Sequence, residues 1–142
     1  MSPAPIIFKT KHRIRFSDLD PYNHMSTAHY GTYYVDHRME GLRDNIGWDA
    51  KALDALPFMV WVRRLEIDFI RPVRADQEIT ITSFVREFRG PDALIECVMV
   101  DAAAGKELSR CLMTVAYVDR ATTRAQDWPA DVAALFFEKA AS

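Results

Sequence analysis

Between Arg15 and Tyr34 the chain reads RFSDLDPYNHMSTAHYGTYY, which gathers two carboxylates, one asparagine, two histidines and four tyrosines. A carboxylate beside an electrophilic carbonyl either attacks it or draws a proton from a water that does. The segment also crosses from a turn into a helix. The first turn of a helix leaves backbone N–H groups unpaired and is mildly positive, so it can hold an oxygen on which negative charge is developing. Asp18 and Asp20 on the turn, with the helix start behind them, therefore form a candidate site for acyl transfer to water. The same residues also fit a purely structural role, in which both carboxylates only stabilise the turn and the helix start. His24 fits either a hydrogen-bonding residue of the turn or a general base near neutral pH. His12, His24, His29 and His37 form no HxxxH pair, and no cysteine or carboxylate stands at ligand spacing, so neither a metal nor a cofactor is expected. Cys97 and Cys111 sit mid-run in separate apolar segments without CxxC spacing and read as reduced, buried small hydrophobes.

The elements that must position these groups follow from periodicity. His12–Ser17 alternates, with Ile14 and Phe16 toward a core and Arg13 and Arg15 toward water, the pattern of a half-buried strand. A polar turn, Asp18–Asn23, carries Pro21. The longest helical pattern runs from Thr27 to Asn45, with Ser26 as N-cap and Gly47 as terminator. Ala28, Gly31, Val35, Met39, Leu42 and Ile46 fall on one stripe, with Asp36, Glu40, Arg43 and Asp44 opposite. Gly31 and Ala28 let the front end of that stripe approach a sheet. After a connection over Lys51–Pro57 come four extended runs, Phe58–Ile70, Glu78–Arg89, Ala93–Ala102 and Glu107–Val118, each rich in Val, Ile, Thr and aromatics. Leu65, Ile67 and Phe69 alternate with Glu66 and Asp68, as in a sheet with one wet face. Gly90-Pro91-Asp92 and Ala104-Gly105-Lys106 are hairpin-length breaks, Pro72–Gln77 turns a corner, and Pro129–Lys139 reads as a short terminal helix. Strand, long helix, then four consecutive strands is an α+β order, and no helices alternate with the later strands as a doubly wound parallel sheet requires.

Composition bounds the function classes. The 142 residues suit a single domain spanning 1–142, with 49% hydrophobic and 27% charged residues. A net charge of −2 gives no basic excess for nucleic acid, and the basic clusters at Lys9–Arg15 and Arg63–Arg64 read as solvated strand faces. No apolar run reaches membrane-spanning length, and the opening MSPAPIIFKTKHR lacks the apolar core of a signal peptide. A cytoplasmic protein is the expectation.

The stretch RFSDLDPYNHMSTAHYGTYYVDHRME resembles the opening signature of the 4-hydroxybenzoyl-CoA thioesterase-like hot-dog family, roughly R-F-x-D-x-D-x-x-G-H-x-N-N-x-x-Y-x-x-Y. Arg15, Phe16, Asp18, Asp20, His24, Tyr30 and Tyr33 fall on its marked positions, and RRLEIDFIRPVRADQEITI resembles its second signature. The resemblance implies one hot-dog domain, an antiparallel sheet of about five strands wrapped around one long helix, with a short C-terminal helix. It implies hydrolysis of an acyl thioester, either acyl-CoA or acyl-carrier protein, to free acid and thiol. Asp20 inherits the catalytic carboxylate and Asp18 a structural role. Asn23, His24, Ser26, Thr27, Tyr30 and Arg89 inherit substrate contacts, Arg89 toward the CoA phosphates. The family further implies a homodimer or homotetramer with the active site at a subunit interface. Departures stand at Asn23 in place of glycine, at Ser26 and Thr27 in place of an asparagine pair, at His29, and at Gly90-Pro91-Asp92 beside Arg89. Asn23 tolerates the left-handed backbone, and serine and threonine still cap helices. Two other readings remain. One is a hot-dog protein that binds acyl-CoA or acyl-carrier protein without turnover. The other is a hydratase or dehydratase, whose Asp and His are separated by four residues in the family, unlike Asp20 or Asp18 with His24.

Overall fold

The structure, a computed structural model, describes residues 3–139. Its elements in chain order are β1 (Phe8–Arg13), α1 (Thr27–Ile46), α2 (Ala50–Ala55), β2 (Phe58–Phe69), β3 (Glu78–Arg89), β4 (Asp92–Asp101), β5 (Glu107–Asp119) and α3 (Ala130–Ala133). The strands make one antiparallel sheet in the order β1-β3-β4-β5-β2. Gly90 and Gly105 take φ of 59° and 72° in the β3–β4 and β4–β5 turns, a backbone that glycine adopts without strain. Register shifts at Val62/Arg64 and Val85/Glu87 mark bulges, which bend and twist strands, and α1 lies against the resulting curled sheet. The four later strands lie where their β-branched and aromatic runs predict.

Three expectations need correction. The first strand is Phe8–Arg13, not His12–Ser17. Phe8 and Thr10 face inward between exposed Lys9 and Lys11, and the strand pairs with β3 from Phe8↔Ser83 to Arg13↔Glu78. Ile14 is buried as expected, but Phe16 is 86% exposed on a 3₁₀ turn, Phe16–Asp18. The chain turns there because Asp18, not Phe16, is drawn inward by polar partners. The connection expected over Lys51–Pro57 contains α2, capped by Asp49, which accepts from the Ala52 N–H at 2.8 Å. The terminal helix is shorter than Pro129–Lys139. It breaks into a 3₁₀ turn at Ala134–Phe136, after which Phe137 bridges to Pro5.

Helix α1 starts and ends where expected, and Gly47, at φ 82°, closes it. Its buried face differs. Tyr30, Tyr33, Tyr34, His37, Arg38, Gly41 and Leu42 are buried, whereas Met39 is 41% exposed and Val35 and Gly31 only half-buried. The stripe from Ala28 to Ile46 thus flanks the contact face instead of forming it, because the sheet receives aromatic and polar side chains that periodicity of aliphatic residues does not count. The glycine that admits the sheet is Gly41, where a Cβ would overlap the Phe8 ring. At Gly31 it would meet only the flexible end of Leu65, at 3.3 Å.

Beneath α1 runs a buried polar chain. Thr10 Oγ1 lies 2.7 Å from both His12 Nε2 and His37 Nδ1, His37 Nε2 lies 2.6 Å from Ser83 Oγ, and Arg38 Nη1 donates to Ser83 Oγ at 3.0 Å. The Arg38 guanidinium also stacks 4.2 Å from the Phe8 ring centre. Cys97 and Cys111 are free, buried and directly opposite each other on β4 and β5.

Two measurements test this packing. Gly41→Ala should lower stability by about 1–3 kcal/mol through overpacking, while Gly31→Ala should change it by less than about 1 kcal/mol. Equal effects in thermal or chemical denaturation would contradict the assigned contact. The second concerns His37, which burial first, and then the charges of Arg38 and His12, push down to about 3 from its ordinary 6.5. The unfolded chain takes up that proton first as pH falls. The histidine's contribution is therefore complete above pH 6.5 and is lost as pH drops toward 3. In chemical denaturation across that window, wild type should lose stability more steeply than His37→Gln, by up to roughly 1.4 kcal/mol per pH unit.

Candidate active site

The turn before α1 is built on Asp18, whose carboxylate is 2% exposed. Its Oδ2 accepts from the Tyr33 hydroxyl and, at 3.3 Å, from Arg15 Nε, while Oδ1 lies 3.5 Å from His29 Nδ1. Its backbone carbonyl accepts the Ser26 N–H at 2.8 Å. Burial alone would raise this acid, but the hydrogen bonds from Tyr33 and Arg15 outweigh it and hold Asp18 below its ordinary value. Tyr33 is correspondingly raised, by burial first and then by Asp18. Asp18 therefore stays ionised, with its charge spent on fixing the turn to both flanks of α1.

Asp20 stands differently. It is half-buried, and its Oδ1 accepts the amides of Tyr22 at 2.8 Å and His24 at 3.2 Å. Asp20 N–H donates to His24 O at 2.8 Å, and Asn23 N–H to Asp20 O at 3.1 Å, closing a tight loop around the carboxylate. Among the described residues, no side chain neutralises Asp20, and its Oδ2 has no hydrogen-bond donor. A carboxylate fixed by one oxygen and free at the other is arranged to take a proton or to attack. Tyr30, 3% exposed, is raised by burial and further by the negative charge of Asp20, with the Val73 backbone opposing, so the phenol and the carboxylate share one environment.

The remaining expected residues divide. Asn23 is exposed and takes φ of 60°, as the substitution for glycine requires. His24 is half-buried, and its backbone bridges to Arg74. Ser26 is the N-cap of α1, but its side chain makes no capping bond, and the first turn carries no acidic residue. Thr27 and the following residue therefore present first-turn N–H groups that no side chain has claimed. Arg89 is not brought here. The site lies at the Glu78 end of β3, where Ile14 N–H donates to Gln77 O at 3.1 Å, and Arg89 ends the same strand, roughly 36 Å away at the usual rise. There it pairs with Glu87 at 2.7 Å and is exposed. The structure adds residues that sequence reasoning did not single out. Val73 is fully buried and accepts the Met25 N–H at 2.6 Å, and Phe69 packs edge-on to Tyr30 at 4.8 Å. Both lie on or beside the Arg-Pro corner, about fifty residues beyond the turn, so spacing within either segment carried no sign of the meeting.

The profile of the thioesterase-like superfamily matches residues 14–136, from the end of β1 to the last turn. The long-chain acyl-CoA thioesterase FadM of Escherichia coli is 24% identical over 117 residues, covering 82% of this chain and 87% of FadM. Among solved structures, the probable thioesterase YbaW of Escherichia coli superposes with a TM-score of 0.81 at 21% identity, covering 92% of this chain and 99% of that one. A Staphylococcus aureus protein solved in complex with CoA also gives 0.81, at 13% identity over 95% of this chain and 84% of that one. The chain belongs to the thioesterase-like superfamily, with the hot-dog architecture of one long helix on a curled five-stranded antiparallel sheet. Thioester hydrolysis is the reaction class that this membership gives it.

If Asp18 is held as described, Tyr33→Phe should cost about 1–3 kcal/mol, because a buried ionised carboxylate loses a donor. The stability gap between wild type and variant should narrow as pH falls through the carboxylate range, because the Tyr33 bond favours the ionised Asp18 that both proteins lose there. A variant as stable as wild type at every pH would remove Asp18 from its central place.

Proposed function

We propose that the chain hydrolyses an acyl-CoA thioester, with Asp20 as the catalytic carboxylate and the first turn of α1 as the oxyanion site. The observation that carries this reading is the unpaired Oδ2 of Asp20, on a carboxylate whose Oδ1 is held by two backbone amides, just before a helix start with no side-chain cap. In the water route, Asp20 Oδ2 takes a proton from water as its oxygen adds to the thioester carbonyl. The carbonyl oxygen becomes negative against the first-turn N–H groups. Collapse breaks the C–S bond, and the proton held by Asp20 passes to the departing thiolate. Direct attack by Asp20 uses the same atoms through a mixed anhydride that water then opens. Asn23, His24, Ser26, Thr27 and Tyr30 surround the reacting group in either route. An acyl-carrier substrate would present the same thioester, but the naming of FadM for acyl-CoA and the CoA complex of the Staphylococcus aureus protein favour CoA.

The same reading includes a second copy. β2 is an edge strand of 12 residues on which Trp61, Val62, Leu65 and Phe69 are 37–52% exposed. Leu65 and Phe69 were expected on a buried face, and Gly31 and Tyr30 of α1 cover them only in part. A long edge strand with exposed apolar side chains is a template for pairing, here with Arg63, Arg64, Glu66 and Asp68 interspersed. Pairing β2 with β2 of a second copy about a twofold axis is antiparallel. It carries the partner's end of the sheet that holds Arg63 and Arg89 toward this chain's Asp20, which supplies the cationic contact that one chain keeps far away. Among the described residues, no helix is long and apolar enough to cross a membrane.

Binding without turnover is the second reading, favoured by Ser26 and Thr27 where the family pattern has asparagines. Both readings meet one experiment, thiol release from a panel of acyl-CoA esters by wild type and Asp20→Asn. Wild type should release thiol, and the variant, whose amide oxygen still accepts from Tyr22 and His24, should fall at least about 100-fold with its melting temperature nearly unchanged. Undiminished turnover in Asp20→Asn would refute the carboxylate mechanism, and tight binding with no release by wild type would leave a binding module.

A further inference from the structure

A mainly apolar hollow lies away from Asp20. A cavity of about 450 Å³ lies between the C-terminal half of α1, α2, the first half of β2 and the sheet floor. Met39 and Leu42 of α1, Leu53 of α2, Phe58 and Val60 of β2 and Ala93 of β4 are among its walls. It has a wet end and a dry end. Met39 and Trp61 are 41% and 49% exposed at the mouth, while Trp48 and Phe136 are 9% and 5% exposed at the back. Trp48 closes that back, edge-on to both Phe58 and Phe136 at 5.8 Å. The charged groups on the lining are occupied or peripheral. Arg38 is turned to Ser83 and the Phe8 ring, Arg120 donates to the Leu53 and Leu56 carbonyls at 3.0 and 2.8 Å, and Asp54 is exposed. The hollow is far larger than the packing voids of a protein interior, and apart from exposed Asp54 its lining offers no free charged head to an ionic ligand.

We propose that this cavity takes the tail of an unbranched acyl chain of roughly 10–14 carbons, with the aromatic wall at Trp48, Phe58 and Phe136 as its end-stop. At about 30 Å³ per carbon, close to the share of a water molecule, the volume sets a ceiling of roughly 15 carbons. The inference rests on the thioesterase reading for the thioester end of the same ligand and adds the class of acyl group. The antiparallel pairing of β2 strands supplies the route. The half of β2 that carries Met59 and Trp61, at the cavity mouth, then lies opposite the half that ends at Phe69, beside Tyr30 and Asp20 of the other copy. A thioester held at one copy's Asp20 thus sends its tail into the other copy's cavity. Ala93 is the specificity position, since it is the smallest side chain on the floor and is 2% exposed.

The test uses S-alkyl-CoA thioethers of 4, 8, 12 and 16 carbons, which have no carbonyl to cleave, titrated calorimetrically into the full chain. Affinity should rise about fourfold per methylene, the equivalent of about 0.8 kcal/mol, and level off between 12 and 16 carbons. In Ala93→Phe the loss relative to wild type should grow with chain length, and the plateau should arrive about three or four carbons earlier. Ala93→Leu should give a smaller shift and serves if the phenylalanine variant melts early. Affinity independent of length, or equal losses at every length in the folded variants, would overturn the proposal and leave the cavity to side chains of the second copy. Thiol release from acetyl-CoA and dodecanoyl-CoA separates the two layers. Turnover with flat thioether affinity keeps hydrolysis and rejects the cavity, whereas length-dependent affinity without turnover keeps the cavity and rejects hydrolysis.

Discussion

The ionised Asp18 carboxylate is the constraint on which the rest of the site depends. A buried charge is tolerated only when its lone pairs are satisfied, and Asp18 draws Tyr33 from α1 and Arg15 from the preceding turn to do so. Those bonds fix the angle at which the chain leaves β1 and enters α1. The Asp18 carbonyl then holds the Ser26 amide, so the helix start is set from the same residue. Asp20 needs no charged partner of its own because the loop closing around it is already rigid. Two aspartates two residues apart thus do opposite work. One is neutralised to build the turn, and the other is left with an unpaired oxygen because the first has built it.

The helix that follows is held by polar as well as apolar contact. His37 between Thr10 and Ser83, and Arg38 on Ser83 and Phe8, tie α1 to β1 and β3 through groups that cost stability to bury and are hard to rearrange once satisfied. Gly41 lets Phe8 sit against the helix backbone one turn further on. With α1 anchored along that face, Val35, Met39 and Leu42 are left to look across toward β2, and the space between them is the cavity. The misassigned stripe and the cavity therefore have one cause. Aliphatic residues that the sequence pattern assigns to the core are instead displaced to the wall of a hollow, because histidine, arginine and tyrosine occupy the contact with the sheet.

This explains what the sequence made legible. The four later strands and their turns were readable because β-branched residues, glycine turns and alternation act locally, over a few residues. The limits of α1 were readable from Ser26 and Gly47 for the same reason. Asn23 was legible as a left-handed position, and the order of elements was enough to give the fold class. The exposure of Phe16 was not, because it depends on Asp18 finding Tyr33, fifteen residues away, nor was the start of β1, which is set by pairing with Ser83 on β3, seventy-five residues on. Nor were Val73 and Phe69 as neighbours of the site, since they arrive by way of the β2–β3 corner. Arg89 shows a different limit. Its place in the motif is matched, but the motif says nothing about where in space that end of β3 lies, and the structure puts it at the far end of the sheet from Asp20.

The candidate carboxylate at one end of the sheet, the Arg89 cation at the other and the apolar hollow nearer that cation lie too far apart to form one site within a single chain. The edge strand β2 runs between them with Trp61, Val62, Leu65 and Phe69 partly exposed, and in the pairing proposed above a reversed second strand would bring the three together. On that proposal, pairing would make catalysis conditional on assembly, because an isolated chain has an Asp20 with no wall opposite it and a cavity whose mouth opens to water. In a fold with one long helix on one sheet, the edge proposed for pairing is also the surface across which the proposed ligand would lie. On that reading, stability of the pair and completion of the site are the same requirement.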